Sequence, residues 1–143
     1  MPETIATEPP MARRQELRFP STGSSVRSVR SGLHTFLDGA GMPPDSLQDL
    51  MIAACEAATN AIEHAQHPTQ PYFDAVFEVV DGFVTIVIQD HGQWRDGPIG
   101  PHRGRGLLMM HALTDTTVST HPHGTIVTIR TQFTASGPGD DRR

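Results

Sequence analysis

Two runs of alternating apolar residues, Phe73 to Val80 and Phe83 to Gln89, are separated only by Asp81-Gly82. An Asp-Gly pair between two such runs is the strongest short-range signal for a β-hairpin, because both central residues of the favoured turn need positive φ. A tight antiparallel pair in mid-chain constrains everything around it. Its apolar face must be covered by helices or by a second sheet.

The flanking sequence offers the helices. Gln15 to Phe19 alternates, with Leu17 and Phe19 on one side, and stops at Pro20, as a short strand does. Ser24 and Ser25 can cap a helix that carries Val26, Val29, Leu33 and Leu37 at helical spacing, ended by Gly39 and Gly41. A second helix follows Pro43-Pro44-Asp45, with Leu47, Leu50, Met51, Ala54, Ala58, Ala61 and Ala65 as its apolar stripe. Residues 91–104 form a glycine- and proline-rich loop, and a third helix is expected over about 106–113. Thr116 to Thr120 and Thr125 to Phe133 make a last hairpin around His121-Pro122-His123-Gly124.

This order predicts an α+β fold, a two-layer α/β sandwich with three helices on one face of a mixed, mostly antiparallel sheet. Residues 1–13 and 135–143 are polar and rich in Pro or Gly, and are expected as flexible tails around one domain at 14–134. The chain has 143 residues, enough for one hydrophobic core.

Composition removes several function classes. The net charge is −5 with no basic tract, which speaks against a nucleic-acid surface. All 11 basic residues are arginine, and without lysine neither a Walker A loop nor Schiff-base chemistry is possible. No apolar run reaches the ~20 residues of a membrane helix. Neither a signal pattern nor a second cysteine beside Cys55 points to export, so a cytoplasmic protein is expected. Histidines crowd the second half, yet no pair has a recognised structural zinc spacing.

Three polar clusters interrupt this pattern. The first is EAATNAIEH, Glu56 to His64, on the second helix. Residues four apart lie about 40° apart around a helix axis, so Glu56, Asn60 and Glu63 share a face, expected opposite the Leu47/Ala54/Ala58 stripe. A carboxylate and a carboxamide one turn apart can serve as base and as hard-cation ligand, or simply form a solvated face. The second is Asp90-His91-Gly92, where an apolar strand meets the loop. A carboxylate there can accept a hydrogen bond from an exocyclic amine, and Gly92 lets a ring approach; a plain turn is the alternative. The third is Gly104-Arg105-Gly106-Leu107 at the mouth of the third helix. It suits an anion, through free amides and a guanidinium, or a flexible connector.

Taken together with Gly124-Thr125, the clusters resemble the nucleotide-binding boxes of the GHKL ATPases, over about residues 15–133. The narrower resemblance is to bacterial anti-sigma factor serine/threonine kinases. Their E-A-x-x-N-A-x-x-H matches EAATNAIEH, and their G-R-G-L-x-x-M/V-x-x-L-x-D matches GRGLLMMHALTD, Gly104 to Asp115. SSVRSVRSGL is also similar to that family's first helix. The family's D-x-G-x-G stands here as Asp90-His91-Gly92-Gln93-Trp94, without the second glycine, a departure that bears on lid motion and turnover more than on binding.

The resemblance implies ATP and Mg²⁺ as cofactors. It makes Glu56 the general base, Asn60 the metal ligand and Asp90 the partner of the adenine amino group. Gly92 would pack on the base, Thr125 would support Asp90 through its hydroxyl and water, and Gly104, Arg105, Gly106 and Leu107 would surround the phosphates. Phosphorylation of Ser or Thr on an anti-anti-sigma (STAS) partner, sequestration of a sigma factor and a homodimer are the implied function. Exposed Arg27 and Arg30 on the first helix are expected at the partner contact. The alternative is a module that binds ATP and partner with negligible kinase activity. A sensor histidine kinase domain is a weaker third reading, in which a dimerisation helix pair with a phosphoacceptor histidine would be expected ahead of the domain.

Overall fold

The computed structural model describes residues 12–94 and 114–134. Their elements are β1 (Ala12–Pro20), α1 (Ser24–Leu37), α2 (Pro44–Glu63), β2 (Ala65–Gln66), β3 (Tyr72–Val80), β4 (Phe83–Gln89), β5 (Gln93–Trp94), β6 (Asp115–His121) and β7 (Gly124–Gln132). The main sheet has the order β1-β3-β4-β7-β6. Helices α1 and α2 pack on one another, α2 lies against β4 and β7, and α1 meets β1.

Every strand pairing among the described residues is antiparallel, which corrects the expectation of a mixed sheet. The connections explain it. Hairpins of two residues join β3 to β4 and β6 to β7, and such turns can only reverse a strand. Between β1 and β3 the chain runs through two packed helices in succession, which return it toward the end it left. Of the three helices expected, two stand among the described residues; the one placed at 106–113 lies outside them.

At the central turn Asp81 has φ 39° and Gly82 φ 86°, the doubly positive geometry that Asp-Gly was taken to mean. β1 begins at Ala12, three residues ahead of the alternating run, because Ala12, Arg13 and Arg14 continue the ladder against Val80, Val79 and Glu78. The cap of α1 is Gly23, not a serine. Ser25 is buried instead, and its hydroxyl donates to the carbonyl of Pro20, tying the helix to the end of β1. α2 starts at Pro44 itself, where the missing N–H costs nothing.

The core is one layer between the helices and the sheet. Alternation puts Phe73, Ala75, Phe77 and Val79 of β3, Val84, Ile86 and Ile88 of β4, and Val127 and Ile129 of β7 on the covered face. Against them lie Val29 and Leu33 of α1, and Leu50, Ala53, Ala54, Ala57, Ala58 and Ala61 of α2. The alanine run lets α2 come close to the sheet. No helix among the described residues is long and apolar enough to cross a membrane.

Phe77 is fully buried and its ring lies 5.7 Å from that of Phe36, so it joins sheet to helix layer. Phe77→Ala is expected to lower stability by ~3–5 kcal/mol, read from the urea midpoint at unchanged slope.

Candidate functional site

β4 and β7 meet at their ends around one carboxylate. Asp90 follows β4 directly and is buried, 3% exposed. Its Oδ1 accepts hydrogen bonds from the backbone N–H of Gly92 and of Thr125, each at 3.1 Å. The N–H of Asp90 donates to the carbonyl of Thr125 at 3.0 Å. The strands approach so closely that a Cβ on Gly124 would stand 2.4 Å from the Asp90 carbonyl oxygen, which only glycine avoids. Asp90, Gly92 and Thr125 are thus bonded into one group.

Thr125 holds the carboxylate through its main-chain N–H, where the family resemblance had implied its hydroxyl and a water. That hydroxyl is buried and has no hydrogen-bond partner among the described residues. The side-chain Nδ2 of Asn60, a residue 2% exposed, is in the same condition. A buried polar group left unpaired costs ~1–3 kcal/mol, so each of the two is suited to a ligand that would pair it.

Asn60 was placed with Glu56 on a face opposite the apolar stripe. Instead the buried arc of α2 runs through Leu50, Ala53, Ala54, Ala57, Ala58, Asn60 and Ala61. Leu47 and Met51 are only partly buried. Of the expected stripe Leu50, Ala54, Ala58 and Ala61 are buried, but the helix is rotated so that Ala53, Ala57 and Asn60 are buried with them. Glu56 stands just outside that arc, half-buried. Burial pushes its carboxyl above the usual glutamate range, and the charge of Glu63 adds to this.

A small second sheet, absent from the sequence reading, joins the two halves of the site. Ala65 had been assigned to the stripe of α2 but begins β2, which pairs with β5 through Ala65 and Trp94, and Gln66 and Gln93. The chain leaving α2 is thereby laced to the chain leaving Asp90-His91-Gly92. Among the described residues no group of three or more His, Cys, Asp or Glu could hold a metal ion by itself. A hard cation at Asn60 would need further oxygen ligands from a phosphate or water. Gly104, Arg105, Gly106 and Leu107 lie outside the described residues.

His91 belongs to a network that the motifs did not reveal. Its Nε2 lies 2.8 Å from Asp74 Oδ2, and its ring meets Tyr72 edge-on at 5.1 Å. The N–H and hydroxyl of Thr69 both donate to its carbonyl, at 2.7 and 3.2 Å. Arg18 donates to the other oxygen of Asp74 at 2.8 Å and lies over the Tyr72 ring. The available signal was alternation: Tyr72 and Asp74 are on the face of β3 away from the core.

Burial of Asp74 pushes its carboxyl up, but the hydrogen bonds from Arg18 and His91 outweigh this and leave it below the usual aspartate value. A carboxyl lowered on folding stabilises above its unfolded pKa of ~3.9 and loses that contribution as pH falls through the folded value. Asp74→Asn should therefore cost a few tenths to about 1 kcal/mol at neutral pH. In thermal unfolding scans the gap from wild type should narrow as pH falls below the unfolded value of ~3.9.

Comparison with known proteins follows the same lines. The model of the histidine kinase-like ATPase domain matches residues 19–131. The serine-protein kinase RsbW of Staphylococcus aureus is 31% identical over 130 residues, covering 78% of this chain and 82% of that protein. RsbW of Staphylococcus epidermidis is 30% identical over 118 residues, covering 70% and 74%. A crystal structure of the RsbU and RsbW domains of a Mycobacterium tuberculosis protein superposes with a TM-score of 0.71 at 23% identity. It covers 85% of this chain, which spans 32% of that longer one. The chain belongs to the histidine kinase-like ATPase family, within the anti-sigma factor serine/threonine kinases of the GHKL class.

Proposed function

We propose that this chain is a cytoplasmic, ATP-dependent protein kinase that phosphorylates Ser or Thr of an anti-anti-sigma STAS partner and otherwise holds a sigma factor inactive. The observation that carries the reading is the meeting of two half-sites. The strand that follows α2 pairs with the strand that follows Asp90 and Gly92, and the Asn60 Nδ2 and the Thr125 hydroxyl are buried without a partner among the described residues. Relatives about 30% identical that are named serine-protein kinases support the same chemistry. Homodimerisation rests on the family resemblance, and light scattering giving a monomer mass would remove it.

In this reading Asp90 accepts a hydrogen bond from the adenine amino group, Gly92 leaves room for the ring, and Thr125 contributes its hydroxyl. Asn60 supplies an oxygen to Mg²⁺, and Gly104, Arg105, Gly106 and Leu107 surround the phosphates. Bound MgATP supplies the transferable phosphoryl group and neutralises its charge, since such transfer depends on positioning and charge compensation. Glu56 accepts the proton of the acceptor hydroxyl. A raised carboxyl pKa suits a base, because it brings proton affinity closer to the working pH.

The second reading, a switch that binds nucleotide without using it, has one observation in its favour. Gln93-Trp94, where the family carries its second glycine, is paired as β5 with β2, so the start of the lid is restrained as a strand. Trp94→Gly should then change turnover more than ATP affinity.

Single-turnover phosphorylation of the STAS protein encoded nearest to this chain separates the readings. Glu56→Gln should transfer phosphate about a hundredfold more slowly or worse, with ATP affinity unchanged. The wild-type rate should fall on acidification with a midpoint above the ordinary glutamate value of ~4.3, since the base works only when deprotonated. Equal rates in the two proteins would remove Glu56 from the mechanism, and tight ATP-dependent partner binding without transfer would identify the switch. Asp90→Asn should weaken ATP binding about ten- to a hundredfold by calorimetry.

A further inference from the structure

Along β4 the buried side chains alternate through Val84, Ile86 and Ile88, and Asp90 continues the same parity and is buried with them. His91 has the opposite parity. Its ring meets Tyr72 and Asp74, which stand on the face of β3 away from the core. Asp90 and His91 thus leave the chain toward opposite sides of the sheet. Asp90 Oδ1 accepts from the N–H of Gly92, which makes the carboxylate and Gly92 a three-residue unit with His91 at its centre. His91 in turn is held twice from elsewhere. Its Nε2–H donates to Asp74 at 2.8 Å, and its carbonyl accepts from the N–H and hydroxyl of Thr69 at 2.7 and 3.2 Å. Asp74 is set by Arg18, its register partner on β1, which donates to the other carboxylate oxygen at 2.8 Å. The side chains of His91 and Asp74 are 20% and 27% exposed, so solvent screens this pair less than an ion pair on open surface. The nucleotide reading uses Asp90 and Gly92 and leaves His91 and Asp74 without a role.

We propose that His91 and Asp74 are positioning residues for base recognition: from the outer side of the sheet they fix the turn that aims the Asp90 carboxylate, and with it the preference for a purine that carries an exocyclic amino group. This rests on the nucleotide reading above, in which Asp90 accepts from that group. Hydrogen bonds weaken steeply once the donor angle falls below ~120°, so the contact demands a carboxylate held at one orientation. Thr125 fixes one side of it through its N–H, and the turn through His91 fixes the other through the N–H of Gly92. An ionised acceptor makes the His91–Asp74 bond one of the stronger kind, and Arg18 keeps that acceptor in place. Releasing His91 frees the turn to rotate, and the bond to the amino group is what rotation loses. The contacts assigned to phosphate and metal come from other segments, Asn60 on α2 and residues 104–107, and do not pass through His91. The effect is therefore on which base is bound, not on whether a nucleotide is bound.

The test compares MgATP with the Mg²⁺ complex of purine riboside triphosphate, which lacks only the exocyclic amino group, by calorimetry on the full chain and its variants. Wild type should bind MgATP about ten- to a hundredfold more tightly than the analogue, the worth of a hydrogen bond to a charged group. His91→Ala should bring that ratio to within about threefold of unity, by weakening MgATP and leaving the affinity for the analogue within about twofold. Asp74→Ala should do the same. His91→Gln, whose Nε2 donor reaches about as far along its side chain as that of histidine, should restore most of the ratio. The ratio is the readout because a role in stability alone would weaken both nucleotides alike. His91→Ala or Asp74→Ala with the wild-type ratio, or with both nucleotides weakened equally, overturns the positioning role and leaves the nucleotide reading standing. Should His91→Ala not fold, Asp74→Ala and His91→Gln decide between the same outcomes. A wild type that binds both nucleotides equally removes the contact between Asp90 and the amino group, and the positioning role with it.

Discussion

The close approach of β4 to β7 at Asp90 and Gly124 is the contact on which the candidate site depends. It leaves no space for a Cβ on Gly124, and it places the Thr125 N–H against the Asp90 carboxylate. Main-chain donors cannot swing as side chains do, so Asp90 is set by the sheet itself, with low freedom to lose when it meets a partner. His91, one residue on, is anchored separately by Asp74, Tyr72 and Thr69. The segment from Asp90 to Gly92 is therefore gripped from β7 on one side and β3 on the other.

The second dependence is the alanine face of α2. Ala53, Ala54, Ala57 and Ala58 are fully buried, and small side chains allow the helix to lie close on the strands. A larger residue there would lift the helix and move Asn60, which sits in the same buried arc. Packing and site are thus the same feature of this helix. The polar residue that the core would ordinarily exclude is kept inside it, unpaired among the described residues, at the cost that buried polar groups carry.

Much of the fold was legible because its signals are local. Asp81-Gly82 specified a turn with positive φ, alternation specified the faces of β3, β4 and β7, and helical spacing located α1 and α2. Local signals failed where a distant segment decided. Ala65 continues the helical pattern, but pairing with Trp94 makes it a strand residue. Ser25 has the chemistry of a cap, but the nearby Pro20 carbonyl takes its hydroxyl. Ala12 and Arg13 look like tail, yet they face Val80 and Val79 across a ladder.

The sequence by itself determined the family, through EAATNAIEH, Asp90-x-Gly92 and GRGLLMMHALTD, and with it the kind of chemistry to expect. It also determined the residue types of the candidate site, because proton acceptance, cation binding and close approach each demand particular side chains. Only the tertiary structure decided how far α2 is rotated on the sheet, and so that Asn60 is buried while Glu56 stays at the edge. The same holds for the link between Asp90 and the main chain of Thr125, 35 residues later. Rotation and long-range backbone pairing follow from how two layers fit together, a property of their joint surfaces that no spacing within one segment contains.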